Sequence, residues 1–142
     1  MKTECVEVNA VDDDEVRVVV VDDMKDAADT LAMLLSMDGY SVSTAHSGEE
    51  AILLIEARNP HCVILDIAMP GIDGYELATL LRHRYGDDIV LIAVTGWNDS
   101  DARVADTFSV VDHYFQKPVE PQMLRRLLPA LRKNKVSLSA KR

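Results

Sequence analysis

Apolar residues fall into two alternating kinds of run along this chain. The segment from Val16 to Val21 is almost all valine. A continuous β-branched run of that length predicts a strand buried on both faces of a parallel sheet. From Asp26 to Met37, Ala27, Ala28, Leu31, Leu34 and Leu35 recur at helical spacing, with Asp26 as the expected N-cap and Asp38-Gly39 as the stop. Tyr40 to Ala45 alternates, predicting a second strand. Ser47-Gly48-Glu49-Glu50 opens a helix carrying Ala51, Leu54 and Ile55 on one face, and Pro60 follows its end. A third strand runs from Cys62 into Asp66. Asp73-Gly74 starts a helix to about Arg84, with Leu77, Leu80 and Leu81 inward, and Ile89 to Thr95 reads as a fourth strand. A short helix over about 100–107, a fifth strand from Val110 to about Gln116, and a last helix from Pro121 to Lys133 complete the series. Strand and helix alternate five times, which predicts an α/β fold with a doubly wound five-stranded parallel sheet.

With 142 residues, 48% of them apolar, the chain makes one domain with a real core. No apolar stretch is long enough to span a bilayer, and the acidic start lacks the layout of a secretory signal. Cys5 sits in a polar leader and Cys62 at a strand start, which suggests neither a disulfide nor a metal pair. A cytoplasmic location is the expectation. A formal charge of −9 argues against nucleic acid as a partner. The charge is uneven: residues 1–15 hold six acids and one lysine, and residues 132–142 hold five bases and no acid. The expected division is an acidic leader over 1–15, the folded domain over 16–133 and a basic tail over 134–142.

In an open parallel sheet the carboxyl ends of the strands share one edge, where ligands bind. Asp22-Asp23, Asp66, Thr95 and Lys117 all fall at predicted strand ends. Three carboxylates on one edge repel one another unless a cation neutralises them. Mg²⁺ fits such hard oxygen donors and commonly sits beside phosphate. A carboxylate there can attack phosphorus, while a lysine and a hydroxyl meet the equatorial oxygens of the transition state.

These residues resemble the receiver domains of the bacterial two-component response regulators. The matching motifs are Val20-Val21-Asp22-Asp23, Leu65-Asp66 through Met69-Pro70-Gly71 to Asp73-Gly74, Val94-Thr95-Gly96, and Tyr114 to Lys117-Pro118. They span about Arg17 to Arg132, and some of them most resemble receivers attached to hybrid sensor kinases. The resemblance implies a flavodoxin-like (βα)5 fold with strand order 2-1-3-4-5. It also implies Asp66 as phosphoacceptor and Asp23, Asp66 and the carbonyl of Ala68 as direct Mg²⁺ ligands, with Asp22 acting through a metal-bound water. Thr95 and Lys117 would each hold a phosphoryl oxygen, and Tyr114 would be the switch aromatic. One departure is Phe108-Ser109-Val110-Val111, where receivers commonly carry a glycine turn; a β-branched residue there predicts a different loop path.

The implied function is a phosphorylation-switched signalling module rather than an enzyme in its own right. It would take its phosphoryl group from a phosphohistidine on a histidine kinase or phosphotransfer protein, and would either act by contact with a downstream protein target or pass the group onward. With only a short tail after Arg132, the expectation is a stand-alone module. The alternative class, a Mg²⁺-dependent aspartyl-phosphate phosphatase, needs a second aspartate two residues after the nucleophile. Ala68 stands there instead.

Overall fold

The computed structural model describes residues 15–67, 74–95, 109–117, 119–120 and 122–127. Five parallel strands form one sheet in the order β2-β1-β3-β4-β5. They are β1 (Arg17–Val21), β2 (Ser41–Ala45), β3 (Cys62–Asp66), β4 (Val90–Thr95) and β5 (His113–Gln116). The connecting helices are α1 (Lys25–Met37), α2 (Gly48–Arg58) and α3 (Gly74–Tyr85), and residues 122–127 are helical as well. The expected strand order and the doubly wound parallel sheet are what the structure shows. The helix expected over about 100–107 lies outside the described residues, as do the tail and all of the leader but Glu15.

Successive residues of the central strands point to opposite faces, so each strand feeds two cores. On one face Val18, Val20, Cys62, Ile64, Ile92 and Val94 pack with Ala28 and Leu35 of α1 and with Leu124. On the other, Val19, Val21, Val63, Leu65 and Leu91 pack with Ala51 and Ile55 of α2 and with Leu77, Ala78 and Leu81 of α3. Burial on both sides is why these strands read as unbroken apolar runs rather than alternations. It also shapes Cys62: burial first, then the charge of Asp112, pushes its thiol well above the ordinary range, so it stays protonated.

The helix ends follow local chemistry. The helix expected to open at Ser47 does so: Ser47 caps α2 by accepting from the Glu50 N–H at 3.1 Å. Asn59 ends α2 at φ 49°, and its carbonyl and that of Arg58 accept from the Arg17 guanidinium of β1. The start of α1 differs from expectation. Met24, not Asp26, is the N-cap, and no side chain caps that position. Asp26 lies in the first turn, where a negative charge still suits the helix dipole.

The last strand also begins later than its apolar run implies. Val110 and Val111 precede β5 and pack partly buried against the α2/α3 core. Asp112 is the reason. Its N–H donates to Leu91 O at 2.8 Å, and its carboxylate accepts from the Leu91 N–H at 2.8 Å and from Arg82 at 2.8 Å. The Arg82 guanidinium also donates to Val110 O, Gly86 O and Ile89 O. One α3 side chain thus ties the end of its own helix to the threshold of β5. Among the described residues only Asn59 and two glycines have positive φ, so residues 109–112 make their approach without the left-handed turn a glycine would serve.

Candidate functional site

The carboxyl ends of the strands bring the polar residues together. Asp66 is the last residue of β3 and Thr95 the last of β4, in a register that sets Asp66 beside Val94. Asp22 and Asp23 follow β1, and Lys117 follows β5. One oxygen from each of Asp22, Asp23 and Asp66 lies within 4.8 Å of the others. Asp22, Asp66 and Thr95 are buried, whereas Asp23 is exposed. Lys117 Nζ lies 3.0 Å from Asp66 Oδ2 and 3.3 Å from Asp22 Oδ2. The Lys117 backbone N–H donates to Thr95 O at 2.6 Å, so β4 fixes where the lysine departs.

The charges in this cluster do not balance, because one ammonium faces three carboxylates. Burial draws the Lys117 pKa down, but the hydrogen bond and charge of Asp66, followed by the charge of Asp22, outweigh it and raise the net value above that of a free lysine. Lys117 is therefore a permanent cation at any ordinary pH.

The two adjacent aspartates are held very differently. Asp22 donates its N–H to Ala45 O at 3.0 Å, and its Oδ1 accepts from the Met24 N–H at 2.9 Å while Oδ2 faces Lys117. Asp23 has no side-chain partner among the described residues. A carboxylate already engaged on both oxygens is a poor direct ligand, whereas an exposed, unengaged one beside two others is available. Hard oxygen donors at this spacing suit Mg²⁺. Asp23→Ala is therefore expected to weaken Mg²⁺ binding more than Asp22→Ala, as read by calorimetric titration. The reverse order would exchange the two roles.

Below the cluster, α3 begins in contact with the backbone that carries Asp66. Gly74 N–H donates to Ile67 O at 2.7 Å. A Cβ on Gly74 would lie 2.4 Å from Asp66 O and 2.3 Å from Ile67 Cα. Only glycine allows the helix to start this close. Beside the cluster, a cavity of about 640 Å³ runs from Asp22, Asp66 and Lys117 along α1 past Met24, Leu31 and Val119.

Of the residues singled out in the sequence, Asp22, Asp23, Asp66, Thr95 and Lys117 share this edge, and Tyr114 lies on β5 beside Ala93 of β4. Ala68, expected to lend a carbonyl to the metal, lies outside the described residues. Two contributors went unread. Gly74 is legible only as a helix start, because its contact with Asp66 is tertiary. His46, whose ring meets the Asp22 carbonyl, carries one signal: it directly follows β2 on the same edge.

Comparison with known proteins agrees with this geometry. Residues 18–129 match the response regulator receiver domain family. The chain belongs to that family, whose members are phosphoacceptor signalling domains of two-component systems. Among curated relatives, the response regulator MprA of Mycobacterium bovis (strain BCG / Pasteur 1173P2) is 37% identical over 121 residues, covering 84% of this chain and 52% of that protein. The chain thus spans about half the length of the curated relatives it matches. A solved CheY-like receiver domain from Methanospirillum hungatei superposes with a TM-score of 0.76 at 25% identity, covering 87% of this chain and 98% of that one. The response regulator TrrA of Thermotoga maritima, solved in complex with Mg²⁺–BeF, gives a TM-score of 0.70 at 33% identity, covering 82% and 98%. No helix among the described residues is long and apolar enough to cross a membrane.

Proposed function

We propose that Asp66 is the phosphoacceptor of this receiver and that its donor is a phosphohistidine on a histidine kinase or phosphotransfer protein. The observation that carries the assignment is the position of Asp66. It is buried at the end of β3, 3.0 Å from the Lys117 ammonium and adjacent to both other carboxylates. A carboxylate oxygen of Asp66 attacks phosphorus, and the new P–O bond forms as the P–N bond of the phosphohistidine breaks. The departing imidazole leaves with the electron pair and takes up a proton. Lys117 stays with the charge that moves onto the phosphoryl oxygens, and the Thr95 hydroxyl takes a second oxygen.

Asp23 and Asp66, with the Ala68 carbonyl, would hold Mg²⁺ directly, and Asp22 would act through a water on it. The ion would supply charge neutralisation for the incoming phosphoryl group. The oxygen-only donor set fits it. TrrA, solved with Mg²⁺ and a fluoride of beryllium that mimics a phosphoryl group, supports the same reading for a related chain. In this account the chain assists its own phosphorylation and dephosphorylation and turns over no separate substrate.

The receiver would occupy residues 16–133, flanked by the acidic leader and basic tail, in the cytoplasm. Tyr114 would act as the switch aromatic, turning inward as Thr95 engages the phosphoryl group and so altering the surface offered to a downstream protein. The cavity along α1 gives a donor's side chains a way to approach Asp66. Incubation with acetyl phosphate and Mg²⁺ is expected to add one phosphoryl mass to the wild type and none to Asp66→Asn or to chelated protein. An equal mass gain in the variant would move the acceptor elsewhere.

A further inference from the structure

Asp23 has no side-chain partner among the described residues, so the direction of its carboxylate depends on how its backbone is held. The peptide joining Asp22 to Asp23 is planar, and fixing its carbonyl oxygen also fixes the nitrogen and Cα of Asp23. That carbonyl lies 3.2 Å from His46 Nδ1. A carbonyl can only accept, so the ring nitrogen donates and the imidazole carries a proton on Nδ1. His46 is itself anchored: its backbone N–H donates to Glu50 Oε1 at 2.7 Å, in the first turn of α2. On the other side of Asp22, its N–H reaches Ala45 O at 3.0 Å. The end of β2 and the start of α2 therefore grip the acidic pair from both sides of Asp22.

We propose that His46 is a positioning residue for the cation site, acting through the Asp22 carbonyl to aim the Asp23 carboxylate. The inference rests on reading Asp22, Asp23 and Asp66 as a Mg²⁺ site. His46 touches neither the ion nor the phosphoryl group. Its effect is preorganisation: without the ring donor, the Asp22–Asp23 peptide has more freedom, and binding must restrict it.

The test is a calorimetric Mg²⁺ titration of the full chain as wild type, His46→Leu and His46→Asn, with melting temperatures recorded without Mg²⁺. His46→Leu keeps much of the side-chain bulk but removes the donor, and it is expected to weaken Mg²⁺ binding about fivefold, the effect of one lost hydrogen bond. The side-chain amide of His46→Asn can put an N–H where Nδ1 stands, and affinity should return to within about twofold of wild type. A melting temperature for His46→Leu well above the titration temperature shows that the weakened binding belongs to folded protein. Equal affinity in wild type and His46→Leu overturns the proposal. Weak binding in both variants also overturns it, since packing rather than a hydrogen bond would then be responsible. A wild type that binds no Mg²⁺ overturns the cation site itself, and the inference with it.

Discussion

Gly74→Ala is expected to lower the melting temperature by roughly 10 °C and to slow phosphorylation of Asp66 by acetyl phosphate about a hundredfold. The added methyl meets two backbone atoms, Asp66 O at 2.4 Å and Ile67 Cα at 2.3 Å, not the movable end of a side chain. Neither can yield alone, so α3 must retreat or the end of β3 must shift. Retreat pulls Leu77, Ala78 and Leu81 from the core. Overpacking of this kind costs about 3 kcal/mol, and a domain of this size loses about 4 °C for each kcal/mol. A shift of β3 displaces the nucleophile, and about 1 Å of misplacement costs on the order of a hundredfold in rate. Gly86→Ala is the control. Gly86 has φ +57° and open space where a Cβ would go, so it should lose only about 1 kcal/mol to backbone strain and phosphorylate normally. An unchanged rate in Gly74→Ala would show that the contact does not place Asp66.

Lys117→Met should be nearly as damaging, but in a way that depends on solution conditions. It leaves two buried carboxylates, Asp22 and Asp66, facing each other without their ammonium. Removing one partner of a fully buried pair costs about 3–5 kcal/mol, and the 30% exposure of the lysine side chain reduces the expected loss to about 2 kcal/mol at pH 7. Mg²⁺ should restore more stability to this variant than to the wild type, because the ion supplies the countercharge that the lysine gave. The Lys117 pKa is raised in the folded chain. Its contribution is therefore fully present below the ordinary lysine value, and it disappears as pH climbs through the higher folded value. Denaturant melts of the two proteins should thus differ at neutral pH and converge in strong alkali. A pH-independent gap would assign the loss to packing instead.

Much of this architecture was legible in the sequence because the central strands are buried on both faces. Such burial leaves unbroken valine and isoleucine runs whose ends can be counted, and the polar residues at those ends then fall on one edge. The start of α2 at Ser47 was readable because the bond that fixes it lies within its own first turn. Most of what escaped depends on contacts distant in sequence. Asp26 has the right chemistry for a cap, yet the cap position falls two residues earlier at Met24, where a local bond from the Met24 N–H to Asp22 sets the chain. Val110 and Val111 look like strand residues, yet Asp112 and Arg82 set where pairing begins. Gly74 touches Asp66, and His46 meets Asp22 from 24 residues away. No local pattern encodes either approach.

The guanidinium at position 82 bears on how β5 can move. Its bonds to three carbonyls and to Asp112 clamp the strand at its entrance, while at the far end Lys117 is held by two carboxylates. A beam clamped at one end and loaded at the other bends least beside the clamp and most toward the load. Any displacement that a change of charge around Lys117 imposes on this strand therefore fades toward Asp112, with Tyr114 on the graded stretch between them. Arg82→Lys would offer a single point donor in place of a planar fork, so the clamp would become a loose hinge and that gradient would flatten.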